Sequence, residues 1–463
     1  MKSTFSGWHY LWKSEDIRRK LVITLILLVI FRIAANVPAP GVDQEILKAF
    51  RASASGSGGF LDFLNLLSGG TISNFSLLSM GVYPYITAQI ILQLLIPIIP
   101  SLQKRIQDDP REGRRWQEKW TYYLSVPMAA LSAIGQINLF NSFTLSTTGI
   151  GRKVLDFGLF DPETALVSWS VLVAMTAGTM FAIWLGELIS EYGILGQGLS
   201  LVIFAGIVSQ LPNNLIALFS DKSTAVFMFI FTIIIIVLTV IAIVYVQQGR
   251  RNVPVMYPGR RMGNRMSMPV KGTLPLMVNL SGMIPLIFAS AILQFPAVVS
   301  GFLTQWFPDS EGLRNFATTM TNFFGGTGTQ NWGYWTLYFF MVVIFTFFYT
   351  SVLFDQQNYG DNLKKAGASI PGVHTGTPTQ KYLSTVQRRI TLPGALFLGI
   401  VAAMPFLLNL LLGVFNMQTN SQAGLFLVSS SGLLIVVGVV RDTFMNIDAE
   451  LKLHGYQESL LVR

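Results

Sequence analysis

The chain contains no cysteine. That absence excludes disulfides, thiolate metal sites and a cysteine nucleophile in one step. Histidine is nearly as scarce: His9, His374 and His454 lie far apart in sequence and suggest no metal cluster. Charge is sparse too. Only 12% of residues are charged, about half the share found in a soluble domain, while 51% are hydrophobic and mean hydropathy is +0.53. Over 463 residues this deficit argues against a water-soluble globular enzyme and places most of the chain in lipid. Neither a cofactor nor a metal is expected.

Apolar stretches of spanning length fall at 21–37, 76–98, 120–140, 165–186, 194–211, 224–246, 274–296, 334–354, 391–412 and 423–440. The fifth and tenth are short. Basic Arg18-Arg19-Lys20 followed by Leu21–Phe31 resembles a signal peptide at first sight. The run continues to Val37, however, and Pro38-Ala-Pro40-Gly41 is a poor cleavage site, so it reads as a retained span of about 20 residues. Residues 1–20 read as a cytosolic amphipathic segment, with 3–17 fitting a short helix on the membrane surface.

Lysine and arginine set the direction. With the N-terminus inside, 25 of the 32 fall in cytosolic segments, 6 in external loops, and Arg32 within the first span. This is a strong positive-inside bias. It puts both termini in the cytosol and requires an even number of spans. Arg32 reads as snorkelling to the outer interface. The fold class expected is an all-α integral membrane protein with ten transmembrane helices.

One phrase occurs twice. Gly81-Val-Tyr-Pro84-Tyr-Ile86-Thr-Ala88-Gln-Ile-Ile91-Leu92-Gln93-Leu94 and Gly282-Met-Ile-Pro285-Leu-Ile287-Phe-Ala289-Ser-Ala-Ile292-Leu293-Gln294-Phe295 match at seven of fourteen positions, at an offset of 201. The copies sit in spans two and seven. An odd displacement reverses direction, so spans 1–5 (21–220) and 6–10 (221–440) read as inverted repeats, with a cytosolic tail at 441–463. Gly- and Pro-interrupted helices in matching places of two halves point to a transport path between them. The path offers no titratable group at depth. Its repeat centres are aliphatic, which either seals a conduit by dewetting or is ordinary helix packing.

Three further segments stand out. Residues 60–70, Phe-Leu-Asp-Phe-Leu-Asn-Leu-Leu-Ser-Gly-Gly, follow the flexible run Ser53–Gly59 and are too short to cross; they read as a surface helix or as a re-entrant piece. Loop 247–273 carries six basic residues and no acid, and loop 355–390 carries five basic and two acidic residues. Both suit acidic lipid, an acidic partner or RNA phosphate. Loop 101–119, with six basic and four acidic residues, reads as a solvated face.

Several motifs are familiar in this order: Ser76–Gln93, Leu274–Asn279 with Ile284–Ser290, Asp361–Lys365, Ile370-Pro-Gly372, Ile390–Leu396 and Leu433–Gly438. On these residues the chain resembles the SecY family of protein-conducting channels over essentially its full length. The resemblance implies a clamshell of two five-helix halves around an hourglass pore in the bacterial cytoplasmic membrane. Unfolded polypeptide would pass through it and apolar segments would leave sideways into lipid. It further implies a waist of Val82, Ile86, Leu199, Ile203, Ile287 and Ile435. A plug at about 61–70 would include Leu61, Phe63, Leu64, Leu66 and Leu67. A lateral gate between spans two and seven would carry Thr87, Gln89, Gln93, Asn279 and Ser281, polar groups able to bond across the shut seam. Docking would use Arg250, Arg251, Arg260, Arg261, Arg265, Lys364, Lys365 and His374. The partners implied are SecE and SecG-like small membrane subunits, the ATPase SecA, the ribosome with its rRNA, signal peptides and nascent polypeptide, and membrane lipids.

The chain departs from the family in three places. Glu191-Tyr-Gly-Ile-Leu195-Gly-Gln197-Gly-Leu-Ser200 is one residue longer than usual, which bears on the helix start before Leu199. His374 stands where an arginine is usual, implying weaker or pH-dependent docking at that tip. Arg441 stands where an apolar residue is usual. A secondary transporter of a small solute, which also uses inverted repeats, and a static scaffold are the competing functions.

Overall fold

The computed structural model describes residues 15–42, 75–147, 155, 157–158, 164–194, 196, 198–218, 225–257, 261–262, 265–266, 270–306, 311–324, 332–414 and 430–453. The expected plug, the docking residue Arg260 and most of the N-terminal surface segment lie outside them. Helices dominate. In the first half these are α1 (Glu15–Ala34), α2 (Tyr83–Ile98), α3 (Pro100–Asp108), α4 (Pro110–Thr147), α5 (Ala165–Tyr192) and α6 (Gly198–Leu218). In the second they are α7 (Ala225–Gln248), α8 (Ile284–Trp306), α9 (Glu311–Phe324), α10 (Trp332–Gln356), α11 (Tyr359–Lys365), α12 (Thr377–Val414) and α13 (Ser430–Leu453).

Each of the ten apolar stretches overlaps one of these helices. Among the described residues three are long and apolar enough to cross a membrane: Ala165–Tyr192, Phe229–Gln248 and Trp332–Lys365. A fourth qualifies only as a bent pair, Tyr83–Ile96 with Pro100–Ile106, at 95°. The bend follows from sequence, because Pro100 opens α3 and disfavours helical backbone at Ile99. On α7, Ile230, Ile233, Ile234, Val237, Leu238 and Ile241 are all exposed. A band of that length and greasiness matches hydrocarbon rather than water.

Two expected boundaries move. Span two begins seven residues late, because 76–82 form a turn before Tyr83. Span seven begins ten residues late, because Leu274–Met277 belong to a strand and helix starts only at Ile284.

That strand corrects the all-α expectation. Strands β1 (Arg250–Tyr257) and β4 (Val270–Met277) pair antiparallel with Val253 opposite Leu274 and Val255 opposite Gly272. A small inner pair, β2 (Arg261–Met262) and β3 (Arg265–Met266), falls between them in sequence as a separate antiparallel ribbon. The physical reason is period-two burial: Val253 and Val255 point inward while Asn252 and Pro254 stay exposed.

The cores follow the helix order. One cluster joins α1, α2, α5, α6 and α13 through Phe31, Val82, Leu185, Ile203, Ile435 and their neighbours. A second joins α7, α8, α10, α12 and α13 through Ile243, Leu286, Val342, Leu398 and Leu434. Helix α13 therefore serves both. Close approaches use glycine: Gly178 lets α5 touch the Leu77 backbone, and Gly394 lets α12 touch the Val278 carbonyl, 2.8 Å from where a Cβ would stand.

Candidate functional site

The two copies of the repeated phrase start in the same way. Gly81 and Gly282 both adopt left-handed backbone, φ +51° and +63°, a conformation that disfavours side chains. Each is followed by one residue, a helix start and proline: Pro84 near the start of α2 and Pro285 near that of α8. Asn279 Nδ2 donates to the Gly282 carbonyl at 3.1 Å, and Ser281 Oγ donates to Asn279 Oδ1 at 3.1 Å. These two polar groups build the turn that aims α8.

The aliphatic residues expected at the waist fall into two adjoining hydrophobic clusters. Val82, Ile203 and Ile435 are buried in one cluster, with Ile86 and Leu199 packed against it. Ile287 belongs to the adjoining cluster with Ile90, Phe288 and Tyr349, against which Ile86 also packs. Ile86 thus links the two clusters, to which the turn before α2 and helices α2, α6, α8 and α13 contribute the six side chains.

The seam between α2 and α8 is mostly apolar. Ile90 and Leu94 of α2 meet Ile284, Ile287 and Phe288 of α8 and Phe345 and Tyr349 of α10. Phe288 stacks on Phe345 at 5.6 Å and tilts against Tyr349 at 5.8 Å. The polar residues expected to bond across the seam mostly bond locally. Thr87 Oγ1 donates to Tyr83 O at 2.9 Å in its own helix, and Asn279 and Ser281 serve the turn. Gln93 is different: its side chain lies near the phenol of Tyr349, bringing α2 beside α10. Tyr349 was not anticipated, since one tyrosine in an aromatic-rich span carries no distinguishing signal.

The two long basic segments fold as one body. Met256 N donates to Ser369 O at 2.8 Å and Ser369 N returns to Met256 O at 2.9 Å, pairing the β1 edge with the turn after α11. Beneath them Val253, Val255, Leu276, Leu363, Ile370 and Leu383 share a core. The turn is tightly held. Gly360 N donates to Gln380 Oε1 at 2.9 Å, and Thr379 Oγ1 donates to the His374 carbonyl at 2.7 Å. Gln387 Nε2 donates to Met277 O at 3.1 Å, tying α12 to the hairpin base. Arg250, Arg251, Lys271, Lys364, Lys365, His374, Arg388 and Arg389 are exposed on this body. None of them is paired with an acid among the described residues. Arg261 and Arg265 stand on the inner ribbon.

The SecY family model matches residues 76–444. The chain belongs to the SecY family. It is 35% identical to the protein translocase subunit SecY of Streptomyces coelicolor over 96% of this chain and 97% of that one. It is also 35% identical to the protein translocase subunit SecY of Thermus thermophilus, over 96% and 94%. Two solved structures share the fold. One, described as a protein conducting channel, has a TM-score of 0.58 at 17% identity and covers 96% of this chain and 95% of that one. The other comes from work on the plug domain of a SecY protein; its TM-score is 0.56 at 18% identity, with coverage of 96% and 95%.

Against that family background, the departures acquire structural meaning. The segment expected to be one residue longer than in relatives lies between α5 and α6. Gly193 ends α5, Gly196 takes φ +71°, and α6 starts at Gly198, whose N–H donates to Ser190 Oγ at 3.0 Å. Leu199 still packs on Gly186 of α5. Arg441 has a place too. Its guanidinium binds Asp442 Oδ1 at 2.8 Å and donates to the Gln247 carbonyl at 3.3 Å, capping the end of α7. The mixed-charge corner is a helical hairpin. Asp109 Oδ1 accepts from the Arg111 and Glu112 N–H groups at the start of α4, and Arg105 lies 5.9 Å over Trp116.

Proposed function

We propose that this chain is the channel-forming subunit of a protein translocase. It conducts unfolded polypeptide across the bacterial cytoplasmic membrane and releases apolar segments sideways into lipid. Ten spans in two inverted halves enclose the path, with both termini cytosolic. The gathering of Val82, Ile86, Leu199, Ile203, Ile287 and Ile435 in two adjoining clusters carries this reading. A collar of branched aliphatics blocks ions by staying dry, yet has no charge to hold a threaded chain and no bonds that must break as it parts. The seam of Ile90, Ile284, Phe288 and Phe345 leads from that collar toward lipid. It is greasy enough to accept an apolar segment. Residues 61–70 are the plug.

Opening needs a partner, because nothing in the collar supplies free energy. The basic body formed by β1, β4, α11 and the start of α12 is the docking face for the ATPase SecA or for rRNA of the ribosome. Small membrane subunits of the SecE and SecG kind complete the assembly. The names of the relatives, protein translocase subunits, favour this reading over a small-solute transporter.

Reconstituted vesicles test it. With small subunits, partner and ATP, a preprotein becomes protease-protected inside. Uptake of a small solute by this chain alone, without preprotein import, would instead establish the transporter.

A further inference from the structure

Met283 is the repeat counterpart of Val82, as Ile287 is of Ile86. Both Val82 and Met283 follow a left-handed glycine directly and precede a proline by two residues. Their backbones therefore enter the site alike, from opposite halves. Val82 is buried in the collar cluster. Met283 is half-buried and packs against that cluster, against the seam cluster of Ile90 and Tyr349, and against the core of α7, α8, α10 and α12. Of the described residues, only Met283 packs against all three.

We infer that Met283 is a seventh collar residue, the adaptable one, which keeps the seal while the rigid members move apart. This deepens the collar reading above and rests on it. Five of the six other members are Val or Ile, whose branched side chains are stiff at χ1. A ring made only of these closes well in one arrangement and leaves gaps in any other. Methionine has three rotatable side-chain bonds and a polarizable sulfur that fills irregular space. Placed where three packing regions meet, it can follow whichever neighbour shifts. Valine at the matching position of the first half cannot.

The test measures ion conductance of vesicles at rest and during passage of a stalled preprotein, with Ile86→Asn as reference. Met283→Gln has similar length but places an amide in the dry ring, and should raise resting conductance several-fold. Met283→Leu should stay tight at rest. Met283→Ile should be tight at rest but leak ions around the threaded chain, since its side chain cannot follow. If Ile86→Asn leaks while Met283→Gln stays as tight as wild type, Met283 lies outside the collar. If Met283→Ile seals around the chain as well as methionine does, its adaptability is refuted. If Ile86→Asn itself does not leak, the collar reading falls with it. A Met283→Gln protein that does not assemble leaves the Met283→Ile comparison to decide.

Discussion

Gly198→Ala perturbs the collar from a distance. A Cβ at Gly198 would land on the Gly186 carbonyl of α5, with the carbonyl carbon and Ser190 Oγ both at 2.7 Å. Carbon atoms settle at about 3.5–4.0 Å. The Gly186 carbonyl is fixed within a helix, so the start of α6 must retreat by roughly 1 Å. Overpacking of this kind costs about 1–3 kcal/mol. Stretching the Gly198 N–H bond to Ser190, now 3.0 Å, adds up to about 1 kcal/mol. Alanine's better helix propensity returns at most about 1 kcal/mol, so the net effect is destabilising. Leu199 and Ile203 ride on the displaced turn, and a gap of 0.5–1 Å already forfeits roughly a quarter to a half of each dispersion contact. Thermal unfolding in mild detergent should therefore move to lower temperature, and resting conductance should rise, though less than for Ile86→Asn. An unchanged or higher unfolding temperature together with a tight resting pore would refute the packing argument.

Other outcomes follow from the same geometry. Ile86→Asn should make the resting channel leak, because the dry ring would wet; planar-bilayer conductance reads this directly. Paired cysteines at Ile90 and Ile287, joined by a short bifunctional reagent, should block release of apolar segments into lipid, measured as lost membrane integration in vesicles. Arg250→Glu with Arg251→Glu should weaken partner binding and flatten its salt dependence, scored by equilibrium binding at two ionic strengths. Ser369→Pro removes the N–H given to Met256 and should cost about 1 kcal/mol, seen as faster hydrogen exchange at the hairpin edge. Arg441→Leu strips the cap from the Gln247 carbonyl and should lower stability by about 0.3–1 kcal/mol, read from the unfolding midpoint.

The helices were legible in sequence because apolar runs of this length have few alternatives. The repeat was legible because glycine and proline at fixed offsets are not what lipid selects, and left-handed Gly81 and Gly282 now explain the constraint. The β-ribbon was readable but missed: Val253 and Val255 alternate with exposed residues, yet the basic charge around them read as loop. Helix starts at Tyr83 and Ile284 were misplaced because Leu77, Leu78, Leu274 and Leu276 are as apolar as any span residue. Turn and strand hide inside a hydrophobic run. The pairing of Met256 with Ser369 is backbone to backbone and leaves no mark in side-chain chemistry. Likewise the approach of Gln93 to Tyr349 required knowing which helices are neighbours.

Because the natural chain has no cysteine, each introduced thiol is a unique probe. The most direct measurement places one cysteine at a time at Ile86, Ile203, Ile287 or Ile435 and oxidises it against a single cysteine in a stalled preprotein. Threading through the collar predicts a mixed disulfide at all four positions and none at exposed Leu238 of α7. Adducts at Leu238 with none at the four isoleucines would contradict the account.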